Sequence, residues 1–364
     1  MRFRPEPASD SDGGARAAVL LVNLGSPAAP TAAAVRRYLA EFLADPRVVE
    51  LPRALWWPLL HGIVLRTRPA RSAAKYAAIW RPEGAPLAHW TERQATLLAG
   101  ALVRRGQQQP LVRHAMRYGA PSIAATLDAL RADGATRILV VPLYPQYAAA
   151  TAGSVADAVG AWSARARRVP EWRFVADHHD DAGYIDALAR RLGEHWRRHG
   201  RAERLVLSFH GLPRRATTLG DPYERQCLAT AQRLRARLGL APESMLVSFQ
   251  SRFGAGRWLE PYTEPLLRGL AAEGVRSVDV MCPGFVADCL ETLEEIDREA
   301  RTAFLAAGGA EFRYVACLND DPAWIAALAS IVERHLQGWA EQGPGNAEAP
   351  ATRRADAPAE GKAR

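Results

Sequence analysis

The stretch Arg204-Leu205-Val206-Leu207-Ser208-Phe209-His210-Gly211-Leu212-Pro213 decides the architecture of this 364-residue chain. An apolar run of strand character ends in a histidine, and the Gly-x-Pro turn behind it stops the strand from continuing. A helix-start signal, Gly220-Asp221-Pro222-Tyr223-Glu224, follows within a few residues. Strand, turn and helix make the unit of open α/β sheets, whose ligands bind at the carboxyl ends of the strands. The N-terminal run Val19-Leu20-Leu21-Val22-Asn23-Leu24-Gly25-Ser26-Pro27 has the same form, which puts two such turns at equivalent sheet edges. A lone histidine there is more often a packed turn residue than a chemical group, so the rest of the chain has to decide.

Eight short, mostly β-branched apolar runs can be picked out: 18–24, 111–116, 137–143, 172–176, 204–209, 245–250, 277–282 and 312–317. Amphipathic segments follow most of them; in 186–199, Ala187, Leu188, Leu192 and Trp196 keep helical spacing. Alternating strands and helices predict a parallel, doubly wound α/β fold. Four runs fall before residue 180 and four after 200. The expectation is therefore two Rossmann-like lobes, 17–180 and 181–340, each a four-stranded parallel sheet flanked by helices, with a cleft between them. The tails 1–16 and 341–364 lack apolar periodicity and read as disordered.

The net charge of +8 comes from the body of the chain, because the tails balance: three Arg against three acids in 1–16, four basic against four acidic residues in 341–364. In 45–81, seven basic residues face only Asp45 and Glu50, among Leu51, Leu55, Trp56, Trp57, Leu59, Leu60, Ile63, Val64 and Leu65. Basic residues beside tryptophans suit a membrane interface or an amphiphilic anion better than a nucleic-acid groove; the same pattern also fits a basic-rimmed core helix. No run reaches the roughly 18 apolar residues of a membrane span, and no secretory signal is visible. The expected address is cytoplasmic, with peripheral contact at the inner face of the plasma membrane through 51–71. Cys227, Cys282, Cys289 and Cys317 show no paired or zinc-like spacing and read as reduced, buried thiols.

After the run 277–282 comes Pro283-Gly284-Phe285-Val286-Ala287-Asp288-Cys289-Leu290-Glu291-Thr292-Leu293-Glu294-Glu295-Ile296-Asp297. A helix starting near Val286 would place Asp288, Glu291 and Glu295 on one face. The Glu291–Glu295 repulsion costs roughly 0.2–0.5 kcal/mol, so that face is either solvated or a row of carboxylates handling protons or metal ions. Arg117-Tyr118, Leu143-Tyr144-Pro145-Gln146-Tyr147, Ser248-Phe249-Gln250-Ser251-Arg252-Phe253 and Trp258 put aromatic side chains at strand ends, where a planar ligand could stack. No Gly-x-Ser-x-Gly elbow and no glycine-rich phosphate loop accompanies any strand.

The run Leu207–Tyr223 resembles the ferrochelatase signature, and Cys282–Phe285 through Asp297 resembles that family's catalytic-glutamate helix. Asn23–Pro27, Trp80 with Gly84-Ala85-Pro86-Leu87, Arg117-Tyr118, Leu143–Tyr147 and Trp258-Leu259 are similar to its other motifs, in the family's order over about 17–335.

This resemblance implies insertion of Fe²⁺ into protoporphyrin IX to form protohaem, the terminal step of haem synthesis. It implies a chelatase-type cleft with His210 and Glu291 as catalytic and metal-contacting groups on opposite faces of a bent macrocycle, His210 accepting pyrrole protons. Asp288 and Glu295 would form a proton or metal relay. Asn23, Leu24, Trp56, Arg117, Tyr118, Tyr144, Gln146 and Trp258 would contact porphyrin, with Ser208 and Cys289 behind the reacting groups and 45–81 forming a lip. An imidazole, titrating ordinarily near about 6.5, can take a proton at neutral pH. Fe²⁺ is then a substrate, no permanent cofactor is expected, and no counterpart exists for the C-terminal cysteine triplet that binds an iron–sulfur cluster in some members. Cys289 stands where many relatives have histidine, and Ala85 where serine is usual. Leu24 replaces a tyrosine usual in relatives acting on coproporphyrin III, which favours protoporphyrin. Coproporphyrin III, another tetrapyrrole chelatase, or a non-catalytic tetrapyrrole carrier are the alternatives.

Overall fold

The computed structural model describes Phe3, Arg4, Glu6 and residues 16–106, 110–254 and 256–339. The C-terminal tail read as disordered lies outside the described residues, as does most of the N-terminal one. Arg4 is tied down: its backbone N–H donates to Arg165 O at 2.9 Å.

Eight strands form two four-stranded parallel sheets: β1 (Arg16–Asn23), β2 (Leu111–Met116), β3 (Ala135–Pro142), β4 (Glu171–Phe174), then β5 (Arg204–His210), β6 (Met245–Gln250), β7 (Ser277–Met281) and β8 (Glu311–Val315). The order is β2-β1-β3-β4 in one sheet and β6-β5-β7-β8 in the other, the same winding twice. Each strand corresponds to one of the apolar runs, with ends shifted by two residues at most.

Strand alternation sorts the side chains. Val19 and Leu21 of β1 join Leu205, Leu207 and Phe209 of β5 in one core that also takes in helices Pro86–Arg104, Ala182–His199, Tyr223–Leu238 and Pro322–Leu336. The opposite face of β1, through Ala18, Leu20 and Val22, packs on helices Ile123–Ala132 and Ser154–Ser163. The opposite face of the second sheet, through Val206, Val278 and Val280, packs on Thr263–Ala272 and the helix beginning at Glu291. The sheets thus sandwich a shared helical layer. That layer ignores a division at residue 180: Arg105 donates to Ala326 O at 2.9 Å and Ser330 Oγ at 2.9 Å, joining the C-terminal helix to the first half.

Period-two alternation has a direct consequence for the site. His210 shares its strand face with Ser208 and Val206, so its imidazole is directed toward the side of the sheet that carries the Glu291 helix.

In the shared layer, His178 is 4% exposed and stacks on Trp324 with 5.7 Å between centroids, Tyr184 meeting it edge-on. Burial lowers its pKa to about 4. A depressed histidine binds its proton in the unfolded chain first, so the protein should lose stability as pH falls from about 6.5 to about 4, by about 3 kcal/mol in all. Urea unfolding at several pH values should show this slope, and His178→Phe should flatten it.

Candidate active site

β5 and β6 pair in register so that His210 lies opposite Gln250. The chain leaves β5 through Gly211, whose N–H donates to Gln250 O at 2.6 Å. A Cβ at Gly211 would meet that oxygen at 2.6 Å and Trp258 Cε3 at 3.1 Å, so only glycine fits, and Trp258 packs on the turn beside the histidine. His210 Nδ1 lies 2.7 Å from Gly211 O. A carbonyl only accepts, so Nδ1 carries the proton and Nε2 is the basic nitrogen. Phe285 lies 6.5 Å away, ring to ring.

The helix bearing the carboxylates does not start near Val286. It is a π-helix, Glu291–Ala300, with Leu290 as its cap residue. Its i→i+5 pattern, rare and frequent at functional sites, changes which side chains stack, so the expected α-helical face is corrected. Asp288 precedes the helix and is 6% exposed. Its carboxylate accepts from Tyr314 OH (2.5 Å), Asn319 Nδ2 (2.6 Å), Cys317 N (3.3 Å) and Thr292 Oγ1 (3.3 Å). Those contacts anchor the loop, and Asp288 is not part of the Glu291–Glu295 row.

Glu295 accepts from Ser251 N at 2.6 Å and from Ser251 Oγ. Burial pushes its carboxyl above the usual range and the Glu291 charge adds to this, while Ser251 and the charge of His210 pull it down. His210, Glu291 and Glu295 therefore occupy one electrostatic neighbourhood. Gln250 Nε2 closes the set by donating to Glu291 O at 2.8 Å, with Ser208 Oγ on its Oε1 at 2.7 Å.

The first lobe faces this set with tyrosines. Burial raises the phenols of Tyr38, Tyr76 and Tyr144, and all three feel the charge of Glu291. The Tyr144 hydroxyl is buried without a hydrogen-bond partner among the described residues. Leu24 and Leu290 both pack on the cluster containing Tyr38, Tyr76 and Tyr118. Cys289, 3% exposed, packs with Leu87 and Ala287, and burial pushes its thiol up.

Several expected porphyrin contacts have other tasks. Trp56 is 4% exposed and donates to Leu43 O at 2.7 Å; it is a core residue beneath the lip and not part of its surface. Asn23 is buried against Thr91 at 3.1 Å. Gln146, 2% exposed, donates to Thr230 Oγ1 at 2.9 Å and so joins the two halves. Arg117 and Tyr118 converge on buried Asp45 at 2.6 and 2.8 Å, with Ser154 Oγ on the same oxygen at 2.6 Å. These polar groups lie at or just beyond strand ends, and their hydrogen bonds turn them into the interior. Asp45, Ser154 and Tyr38 carry no pattern that would single them out; Gln250 and Ser251 lie between the aromatics Phe249 and Phe253.

The lip runs through helix Arg53–Leu59, a π-turn Leu60–Val64 and helix Leu65–Ile79, with Pro58 and Pro69 each withdrawing a backbone donor. It reaches across to the second lobe through Lys75 Nζ on Glu299 at 2.6 Å and Arg68 over the Phe253 ring at 4.9 Å.

The ferrochelatase family model matches residues 16–336. The chain belongs to the ferrochelatase family. It is 66% identical over 342 residues to the ferrochelatase of Methylibium petroleiphilum, covering 94% of each chain. It is 59% identical over 354 residues to that of Polaromonas sp., covering 96% of each. Among solved structures, SirB from Bacillus subtilis with Fe³⁺ superposes with a TM-score of 0.52 at 16% identity, over 90% of this chain and 99% of that one. That likeness shows the chelatase-type fold. In this chain the His210 turn and the Glu291 helix meet through Gln250, which lies opposite His210 and donates to the Glu291 carbonyl.

Trp56→Ala should cost about 3–5 kcal/mol by opening the lip core, measured by urea unfolding, whereas Leu55→Ala, at a 70% exposed position, should stay within about 0.5 kcal/mol.

Proposed function

We propose that this metal chelatase inserts Fe²⁺ into protoporphyrin IX, with His210 and Glu291 acting from opposite faces of the ring. The supporting observation is the convergence of the His210 imidazole and the Glu291–Glu295 helix at one end of the second sheet, facing the tyrosine-lined first lobe.

Two pyrrole N–H protons must leave as the metal enters. The Gly211 carbonyl holds the proton on His210 Nδ1, which presents Nε2 to take one of them. Glu291 heads the π-helix on the other side and offers an oxygen ligand to Fe²⁺ in transit, with Glu295 behind it. Oxygen and imidazole donors bind ferrous iron without the retention that thiolate would bring. Trp258, Tyr144 and Leu24 wall the ring. Leu24 in place of tyrosine supports protoporphyrin over coproporphyrin III. Each turnover converts porphyrin and Fe²⁺ to haem and two protons, with no redox step and no resident cofactor required.

The lip meets a membrane. Leu51, Leu55, Trp57, Leu59 and Ile63 are 41–70% exposed, and Arg53, Arg66 and Arg71 are exposed among them. Apolar side chains ringed by guanidinium groups suit an anionic bilayer surface, from which an apolar macrocycle would be drawn. Among the described residues no helix is long and apolar enough to cross a membrane.

Anaerobic assay with Fe²⁺ should show turnover with protoporphyrin IX above that with coproporphyrin III. His210→Ala and Glu291→Gln should each lower kcat at least about 10²-fold; near-normal turnover in either would remove the assigned chemistry, and tight haem retention without turnover would favour a carrier. Vesicles containing phosphatidylglycerol should float the protein, and Leu55→Ser with Ile63→Ser should abolish flotation while leaving the melting curve in place.

A further inference from the structure

β6 ends on two adjacent residues whose hydrogen bonds go to the carboxylate helix. The Gln250 side chain, 4% exposed, is engaged at both ends: Oε1 accepts from Ser208 Oγ at 2.7 Å and Cys282 Sγ at 3.7 Å. Its Nε2 donates to Glu291 O at 2.8 Å and reaches Glu295 Oε2 at 3.4 Å. Because the Glu291 carbonyl only accepts, the amide has one permitted orientation. Ser251 adopts φ 64°, a left-handed conformation that residues with a Cβ avoid. In that conformation its N–H and hydroxyl each meet one oxygen of Glu295. A non-glycine residue persists there only where its surroundings over-determine it, and such residues cluster at functional sites. Two residues further on, Phe253 lies beneath Arg68 of the lip.

We propose that Gln250 and Ser251 are positioning residues for metal delivery, holding the Glu291 backbone and the Glu295 carboxylate toward His210, so that they govern binding of the metal and not of the porphyrin. The assignment rests on the iron-insertion reading above. The asymmetry has a physical reason. A metal ion tolerates only about ±0.2 Å in its ligand distances, whereas a macrocycle is held mainly by apolar walls that a small carboxylate displacement leaves intact. Hydrogen bonds to ligating carboxylates are commonly worth 10–100-fold in metal affinity.

Steady-state kinetics of the full chain with Fe²⁺, and separately Zn²⁺, against protoporphyrin IX test the assignment. Ser251→Ala should raise the metal KM about tenfold and keep the porphyrin KM within about twofold. Ser251→Gly, which relaxes the backbone but also lacks the hydroxyl, should show a comparable metal defect despite its easier conformation. Gln250→Glu, similar in shape but without amide hydrogens, should raise the metal KM as well. Unchanged metal KM in both Ser251→Ala and Gln250→Glu, or equal increases in both KM values, would overturn the assignment. So would a loss confined to folded fraction, read by circular dichroism. If the unmodified chain inserts no metal, the iron-insertion reading falls and this assignment with it; if it turns over normally while the variants keep its metal KM, the assignment alone falls.

Discussion

The parallel register that sets His210 of β5 beside Gln250 of β6 is the contact on which the rest of the site depends. In a parallel sheet, neighbouring strands end at the same edge, so residues far apart in sequence emerge together. Here that edge delivers an imidazole from one strand and, from the next, an amide that reaches the helix following a third. Moving β6 by one residue would turn Gln250 to the other face and uncouple Glu291 from the histidine strand. Gly211 protects the register, since the close approach of Gln250 O leaves no room for a side chain.

The second requirement is that the two sheets are held fixed against each other. A single apolar core running through both, with four helices between them, supplies rigidity. Directed contacts supply alignment: Gln146 on Thr230, Tyr147 N–H on Gln226 Oε1 at 2.6 Å and Ala149 N–H on Asp221 Oδ2 at 2.7 Å. On the lip side, buried Asp45 gathers Arg117, Tyr118 and Ser154, and these donors together with the backbone N–H of Arg47 outweigh the desolvation of its carboxylate, so its pKa is lowered. The lip is thus fixed at its root and exposed at its tip, where its apolar side chains lie.

Environment then assigns chemical character. Burial raises the thiols of Cys282, Cys289 and Cys317, which keeps them protonated near Asp288 and Tyr314. A protonated thiol is a poor metal ligand, which under the proposed reading leaves oxygen and imidazole as the donors for iron.

The strands, their parallel arrangement and the two turns carrying His210 and Gly25 were legible in the amino-acid sequence, because apolar alternation and turn residues act over a few neighbours. The strand-end position of His210 was legible because its turn signal is local. The helix start was misplaced because Asp288 satisfies its carboxylate on Tyr314 and Asn319, partners from another strand and loop that no local pattern reveals. Trp56 could not be distinguished from Trp57 by composition; only packing against the first lobe buries one indole and exposes the other. Local propensity, in short, determined which segments became strands and where chemistry was available. Long-range burial decided which polar groups were consumed in holding the two lobes together, as Gln146 is on Thr230, and which, like the arginines of the lip, stayed exposed.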